Sequence, residues 1–215
     1  MKINVSKTKV MLFNTSRNFD FPPEVVLPGS KTFLDVVDQT RLLGIQLTAD
    51  LNWYQHSKYI CERANAKLWM LRRMKILNID PYIIVDIYFK EIRSACEMAC
   101  QVFHSGLTLN QTYIIERIQK RALKLILGDL YSNYDEACIL MSAEPLSDRR
   151  DTLCLTFIKR AVKGGLHCDI FKPAGSNNIT RSNNNQLKEY TCNTQRFYNS
   201  PLVYLSRLYN QNLKK

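Results

Sequence analysis

Apolar positions along the chain change their period near residue 52, and that change predicts the fold. Before it, KTKVMLF (residues 7–13) and RLLGIQL (41–47) are short apolar runs bounded by polar residues, Gly or Pro, a strand signature. FPPEVVLPGSKTF offers a third strand at Glu24 to Leu27, closed by a Pro28-Gly29 turn. These runs predict a small antiparallel sheet. After Asn52 the spacing becomes helical: Ile60, Ala64, Leu68, Leu71 and Met74 share one face of a helix from Trp53 to Leu77.

Asp80-Pro81 has the form of an N-cap followed by proline at the first helical position. The helix it opens buries Ile84, Tyr88, Ile92, Ala95, Ala99 and Phe103, and turns Asp86, Lys90, Arg93 and Glu97 outward. IERIQKRALKLILGD (115–129) is a third helix, stopped by Gly128. Tyr134 to Met141 forms a short fourth helix. A fifth starts at Pro145, carries Leu146, Leu153, Phe157 and Ala161, and ends at Gly164-Gly165. Ala174 to Gln186 is a polar, turn-rich loop, and TQRFYNSPLVYLSRLYN packs back onto the helices. The expected class is α+β: a small antiparallel sheet, a mostly α-helical bundle of about five helices, and an irregular C-terminal tail. The expected division is strands over 1–50, a helical domain over 51–165 and a loop-rich segment over 166–215.

Composition adds one strong feature. The 215 residues are 46% hydrophobic and 23% charged, as in a globular protein, yet 30 Lys and Arg face 19 Asp and Glu, a net +11. That excess favours polyanionic partners. No apolar run is long enough to span a bilayer, and MKINVSKTKVMLF lacks the continuous apolar stretch of a signal peptide. The expected location is intracellular, nuclear or cytoplasmic, with no membrane partner. The sequons at Asn4, Asn14, Asn110 and Asn178 then read as chance. Seven cysteines without a Cys-x-x-Cys pair fit reduced thiols.

Catalytic and metal chemistry is mostly missing. Cys96, Cys100 and His104 stand at i, i+4 and i+8 on one helix, a ligand spacing; small thiols beside Ala99 and Phe103 also suit a helix interface, and a fourth zinc ligand is lacking. His167-Cys168-Asp169 matches the His-x-Asp half of an iron triad, but no histidine follows it. Neither phosphate-binding glycine loop is present. No paired aspartates stand in a turn between strands, the arrangement that holds two metal ions for nucleotidyl transfer.

Basic helices are what remains. At 100° per residue, Ile114, Ile115, Ile118, Ala122 and Leu125 fill one face of the third helix. Arg117, Lys120, Arg121 and Lys124 fill the adjoining face, and Glu116 is the helix's acid. The first helix sets Lys58, Arg63, Lys67, Arg72, Arg73 and Lys75 against Glu62, with Trp69 available to stack or to pack. Such cations make sequence-independent, salt-sensitive contacts to phosphates. They also cover apolar surface with their stems when nothing is bound.

The order of these pieces resembles the C-terminal portion of reverse transcriptases from jockey-like non-LTR retrotransposons. INVSKTKVMLF is similar to the palm segment after the catalytic aspartates, and TRLLGIQLTADLNWYQHSKYI to the passage from palm to thumb. ANAKLWMLRRM and IYFKEIRSACEMACQVFHSGL resemble the first thumb helices. ERIQKRALKLILG with SAEPLSDRRDTLCLTFIKRA is the most recognisable part, and RFYNSPLVYLSRLYN resembles the closing segment. The resemblance implies a thumb-like module that holds a template–primer duplex, with Lys7 and Lys9 near nucleotide and pyrophosphate and the basic helices along the phosphate backbone. It implies that the fingers, most of the palm and the Mg2+-binding aspartates are absent, so the chain would be inactive alone and would hold no cofactor. The missing palm and fingers would be its packing partner. Cys-Glu-Met-Ala-Cys-Gln-Val-Phe stands where the family usually has a Tyr-Ala or Tyr-x-Ser run and a Trp after the second thumb helix. A shorter resemblance links residues 53–78 to the N-terminal helical module of the tRNA-modifying AlkB-type alkylation-repair homologue. It implies instead an RNA- or tRNA-binding accessory module without a dioxygenase or methyltransferase site.

Overall fold

The chain is α+β, and its computed structural model describes residues 4, 7–13, 25, 26, 33–164, 169–174 and 186–213. Glu24, Leu27, the Pro28-Gly29 turn, Gly165, His167, Cys168, Asn14, Asn178 and most of the polar loop lie outside the described residues. The chain divides into two compact units, Met1–Tyr59 and Ile60–Lys215.

In the first unit β1 (Lys9–Val10) pairs with β2 (Asp35–Val36) in parallel, and β3 (Gln39–Leu42) pairs with β4 (Ile45–Thr48) antiparallel. The expected third strand contributes one antiparallel bridge, Val26 to Phe33. The run 41–47 is a hairpin rather than the single strand its apolar character predicts. Leu43 and Gly44 turn it at φ 48° and 90°, the left-handed region that two-residue hairpins require. Leu43 stands 93% exposed there. A leucine in that conformation carries no turn signal, so the pattern hides the corner.

α1 (Tyr54–Ile76) begins in this unit. Asn52 Oδ1 accepts from the Tyr54 N–H at 2.8 Å and starts the helix. His56 is buried one turn in, where its Nδ1 accepts from the Gln46 N–H of β4 at 3.3 Å. The ring stacks on Tyr59, whose other neighbour is the Arg41 guanidinium, 5.0 Å from its centroid. Burial pulls His56 down to about 4, so the imidazole is neutral at pH 7.

The second unit is helical. On α1, Ile60, Ala64, Leu68 and Leu71 are buried as the pattern predicts. Asp80 caps α2 (Pro81–Ile87) by accepting from the Tyr82 N–H at 2.9 Å, with Pro81 behind it. The expected long second helix then breaks into a π-helical turn (Tyr88–Arg93), α3 (Ser94–Glu97) and α4 (Cys100–Phe103), with Ala99 at φ 55° between the last two. The buried residues give the reason: Ile84, Tyr88, Ile92, Cys96 and Cys100 recur every fourth position. On an unbroken α-helix they would wind about 160° around the axis. The wider π turn and the corner at Ala99 take up that drift and keep them in the core. The buried face therefore runs through Cys96 and Cys100, not Ala95 and Ala99.

α5 (Leu109–Leu127) opens with a reciprocal capping box between Thr108 and Gln111 and closes at Gly128, φ 58°. α6 (Tyr134–Leu140) is capped by Asn133, and α7 (Leu146–Lys163) buries Leu146, Arg150, Cys154, Ile158 and Ala161. Leu153 and Phe157, expected in that core, are half-buried. The tail is less irregular than its sequence suggests: α8 (Gln195–Tyr198) and the 13-residue α9 (Pro201–Leu213) are helical, and α9 packs on α4 and α7.

Candidate nucleic-acid interface

α5 is the element to build from. Its buried stripe is Gln111, Ile115, Ile118, Gln119, Ala122 and Leu123. Gln119 earns its place in the core through partners: it accepts from the Tyr88 hydroxyl at 2.6 Å and donates to the Glu144 carbonyl at 2.9 Å. Glu116, beside this stripe, turns its carboxylate toward the start of α7. It accepts from the Leu146 N–H at 2.9 Å and the Ser147 N–H at 3.3 Å, and the Tyr134 hydroxyl donates to it. A carboxylate on the free N–H groups of a helix meets the positive end of that helix's dipole. Burial first and then the Glu116 contact push the Tyr134 hydroxyl well above its ordinary range.

With its acid occupied internally, α5 presents cations outward. Arg117, Arg121 and Lys124 are exposed. Lys120 is half-buried, its ammonium 4.7 Å from the Tyr134 ring centroid and 5.8 Å from that of Tyr113. Arg117 lies 6.0 Å from Tyr113 on the same helix. Arg121 Nη1 donates to Asn65 Oδ1 of α1 at 3.3 Å, joining the two basic helices. At helical spacing the stripe of α1 that carries Asn65 continues through Trp69 and Arg72. Trp69 is 65% exposed, with the Arg73 guanidinium 6.0 Å from its ring centroid. An open indole beside a guanidinium offers a stacking surface next to a phosphate-binding charge.

Not every expected cation stands free for such work. Lys67 Nζ donates to Glu91 Oε2 at 2.5 Å and to the Glu91 carbonyl at 3.0 Å. That hydrogen bond and charge hold the Glu91 carboxyl below its ordinary range, and Arg63 adds to the same effect. Lys75 Nζ donates to the Leu125 and Ile126 carbonyls at 2.7 and 3.3 Å, closing the C-terminus of α5. Arg63, Arg72 and Arg73 are exposed. Lys7, Lys9 and Lys58 are exposed in the first unit, and the other expected residues belong to the second. The sequence missed the partners rather than the cations: Asn65 and Tyr113 were legible only as helix positions.

The remaining polar cluster is structural in its chemistry. Arg150 is fully buried, and its Nε donates to His104 Nδ1 at 3.1 Å. The other imidazole nitrogen then carries the proton and donates to Asp151 Oδ1 at 2.6 Å. Tyr204 of α9 donates to the same carboxylate. Burial raises Asp151, and the His104 and Tyr204 hydrogen bonds outweigh it, leaving the carboxyl below its ordinary range. With both ring nitrogens engaged, His104 has no lone pair for a substrate. Burial pushes Cys96 up to about 12 and Cys61 up to about 11, so both are neutral thiols. The corner at Ala99 separates Cys96 from Cys100 and His104, and among the described residues no three His, Cys, Asp or Glu side chains are grouped to hold a metal ion.

Among the described residues no helix is long and apolar enough to cross a membrane. Compared with protein families, with curated proteins and with solved structures, the chain finds no match.

Proposed function

We propose that this chain is the nucleic-acid-holding region of a non-LTR retrotransposon reverse transcriptase, able to bind template–primer duplex and unable to polymerise alone. The observation that supports this most is the outer face of α5. Arg117, Arg121 and Lys124 are exposed together, and the one acid of that stretch faces α7 instead. Phosphates approaching this face meet cations without a carboxylate among them, which favours sequence-independent binding. The order of motifs resembling the palm end and thumb of that polymerase family supplies the biological setting.

Fluorescence anisotropy with a labelled RNA–DNA duplex, titrated at several salt concentrations, tests the reading. Wild type should bind in low salt, with affinity falling as salt rises. The triple variant Lys120→Glu, Arg121→Glu and Lys124→Glu should lose most of that affinity and flatten the log–log salt slope by about 0.9 per lost phosphate contact, while keeping its helical circular dichroism. Salt-independent binding, or none, would overturn the proposal. Nucleotide incorporation by the isolated chain would contradict its second half.

A further inference from the structure

A cleft of about 460 Å³ lies at the C-terminal end of the second unit, lined by none of the basic residues assigned above. Its volume is in the roughly 300–1,000 Å³ range of small-ligand sites. One wall is a face of α9: Val203, Ser206, Arg207, Asn210 and Gln211 recur at helical spacing and all line it. The other wall is the extended segment from Lys188 to Cys192, with Tyr198 of α8. The two walls are fixed to each other by Asn210, which is buried. Its Oδ1 accepts from the Leu187 N–H at 2.8 Å and its Nδ2 donates to the Leu187 carbonyl at 2.9 Å. The cleft is thus preformed.

Its lining alternates aromatic rings and cations. The Arg207 guanidinium lies 4.0 Å from the Tyr198 centroid, and the Lys188 ammonium 5.5 Å from that of Tyr190. The Nη1 of Arg207 is a buried donor with no hydrogen-bond acceptor among the described residues, a group whose pairing with an anionic oxygen is favourable. Glu189 also lines the cleft and opposes a purely anionic ligand. A ligand that suits all three features has a π face for the tyrosines, a phosphate for Lys188 and Arg207, and N–H donors for Glu189.

We propose that this cleft takes one unpaired nucleotide of a single-stranded nucleic acid, the base on the tyrosines and its phosphate on Lys188 and Arg207. The site is independent of the α5 face, and a duplex cannot enter it, because the base faces it needs are stacked inside the helix.

Cys192 gives a local reporter. It is half-buried in the cleft wall, whereas Cys61, Cys96, Cys100, Cys138 and Cys154 are buried. The full chain is alkylated with iodoacetamide, and the rate at Cys192 is followed by peptide mass spectrometry. A single-stranded RNA of about ten nucleotides, within the site sizes that single-strand binders cover, should slow that rate; a blunt RNA–DNA duplex should not. Tyr190→Ala should weaken the strand's protection of Cys192 by about fivefold or more, the effect of losing one stacked base, and Lys188→Glu should weaken it by replacing the phosphate's cation with a carboxylate. Lys188 is exposed, so its variant keeps the test open if Tyr190→Ala unfolds the segment. No protection by the strand, equal protection by the duplex or by free GMP, or protection unchanged in both variants would overturn the proposal. Protection that persists in the α5 triple variant supports the cleft whatever becomes of duplex binding.

Discussion

Glu116→Gln isolates the interaction that frees the outer face of α5. The carboxylate accepts two backbone N–H groups at the start of α7, at 2.9 and 3.3 Å, and the Tyr134 hydroxyl. The glutamine keeps one acceptor oxygen, loses the charge and points an NH2 group toward donors. Losing a capping interaction costs about 1 kcal/mol. Losing a charge at a partly buried helix terminus costs up to about 2 kcal/mol more. The sum is about 1–3 kcal/mol, and at about 2–4 °C per kcal/mol for a chain of this size, the melting temperature should fall by about 2–12 °C. Circular dichroism melts and urea titrations measure it. Duplex affinity supplies the second arm. If Glu116 faced outward, removing its negative charge would strengthen binding in low salt; facing α7, it should leave affinity and salt slope unchanged. A melting shift below about 1 °C, or tighter duplex binding, would refute the geometry.

Three further outcomes follow from residues away from that contact. Gly128→Ala places a Cβ 2.5 Å from Lys75 Nζ at a φ of 58°, and should destabilise by about 1–2 kcal/mol through left-handed strain alone; equal urea midpoints would show that the turn relaxes. Arg150→Met replaces a buried guanidinium whose Nη1 and Nη2 have no hydrogen-bond partner among the described residues, and should hold or raise the urea midpoint, whereas Arg150→Ala opens a cavity and costs about 2–5 kcal/mol; a large loss in the methionine variant would show the charge to be compensated. His56, held near 4 in the fold against an ordinary 6.5, binds its proton earlier in the unfolded chain. Its contribution is complete above pH 6.5 and is lost as pH falls toward 4, by at most about 3 kcal/mol. His56→Gln should remove that slope from the first unit's unfolding, and an unchanged pH profile would assign it elsewhere.

Where helices were legible, their apolar periods are long and their stops chemically explicit; the π turn, the corner at Ala99 and α9 were not. Asp80-Pro81 and Gly128 mark their boundaries by residue type alone. The hairpin at 41–47 was not legible, since Leu43 takes a turn conformation that leucine seldom adopts. Nor was the core position of Arg150, which any hydrophobic count scores as surface. For the interface, the sequence identified which residues are cationic but not which are already engaged. Lys67 and Lys75 read the same as Arg72 and Arg73 until Glu91 and the end of α5 are placed beside them. The aromatic cleft was invisible because segment 186–192 and α9 are brought together by a tertiary contact, the clamp of Asn210, that no local pattern announces.

The π-helical turn at Tyr88–Arg93 has a bearing on how the chain tolerates length changes. A π turn holds one residue more than the α turn it replaces, and so has the form of an accommodated insertion. Removing one residue there should restore a regular ladder at little local cost. Everything downstream would then keep its place, with Cys96 and Cys100 still in the core. Homologous chains one residue shorter in this segment should therefore place their small core residues one position earlier, and a chain that did not would have to be packed differently against α7.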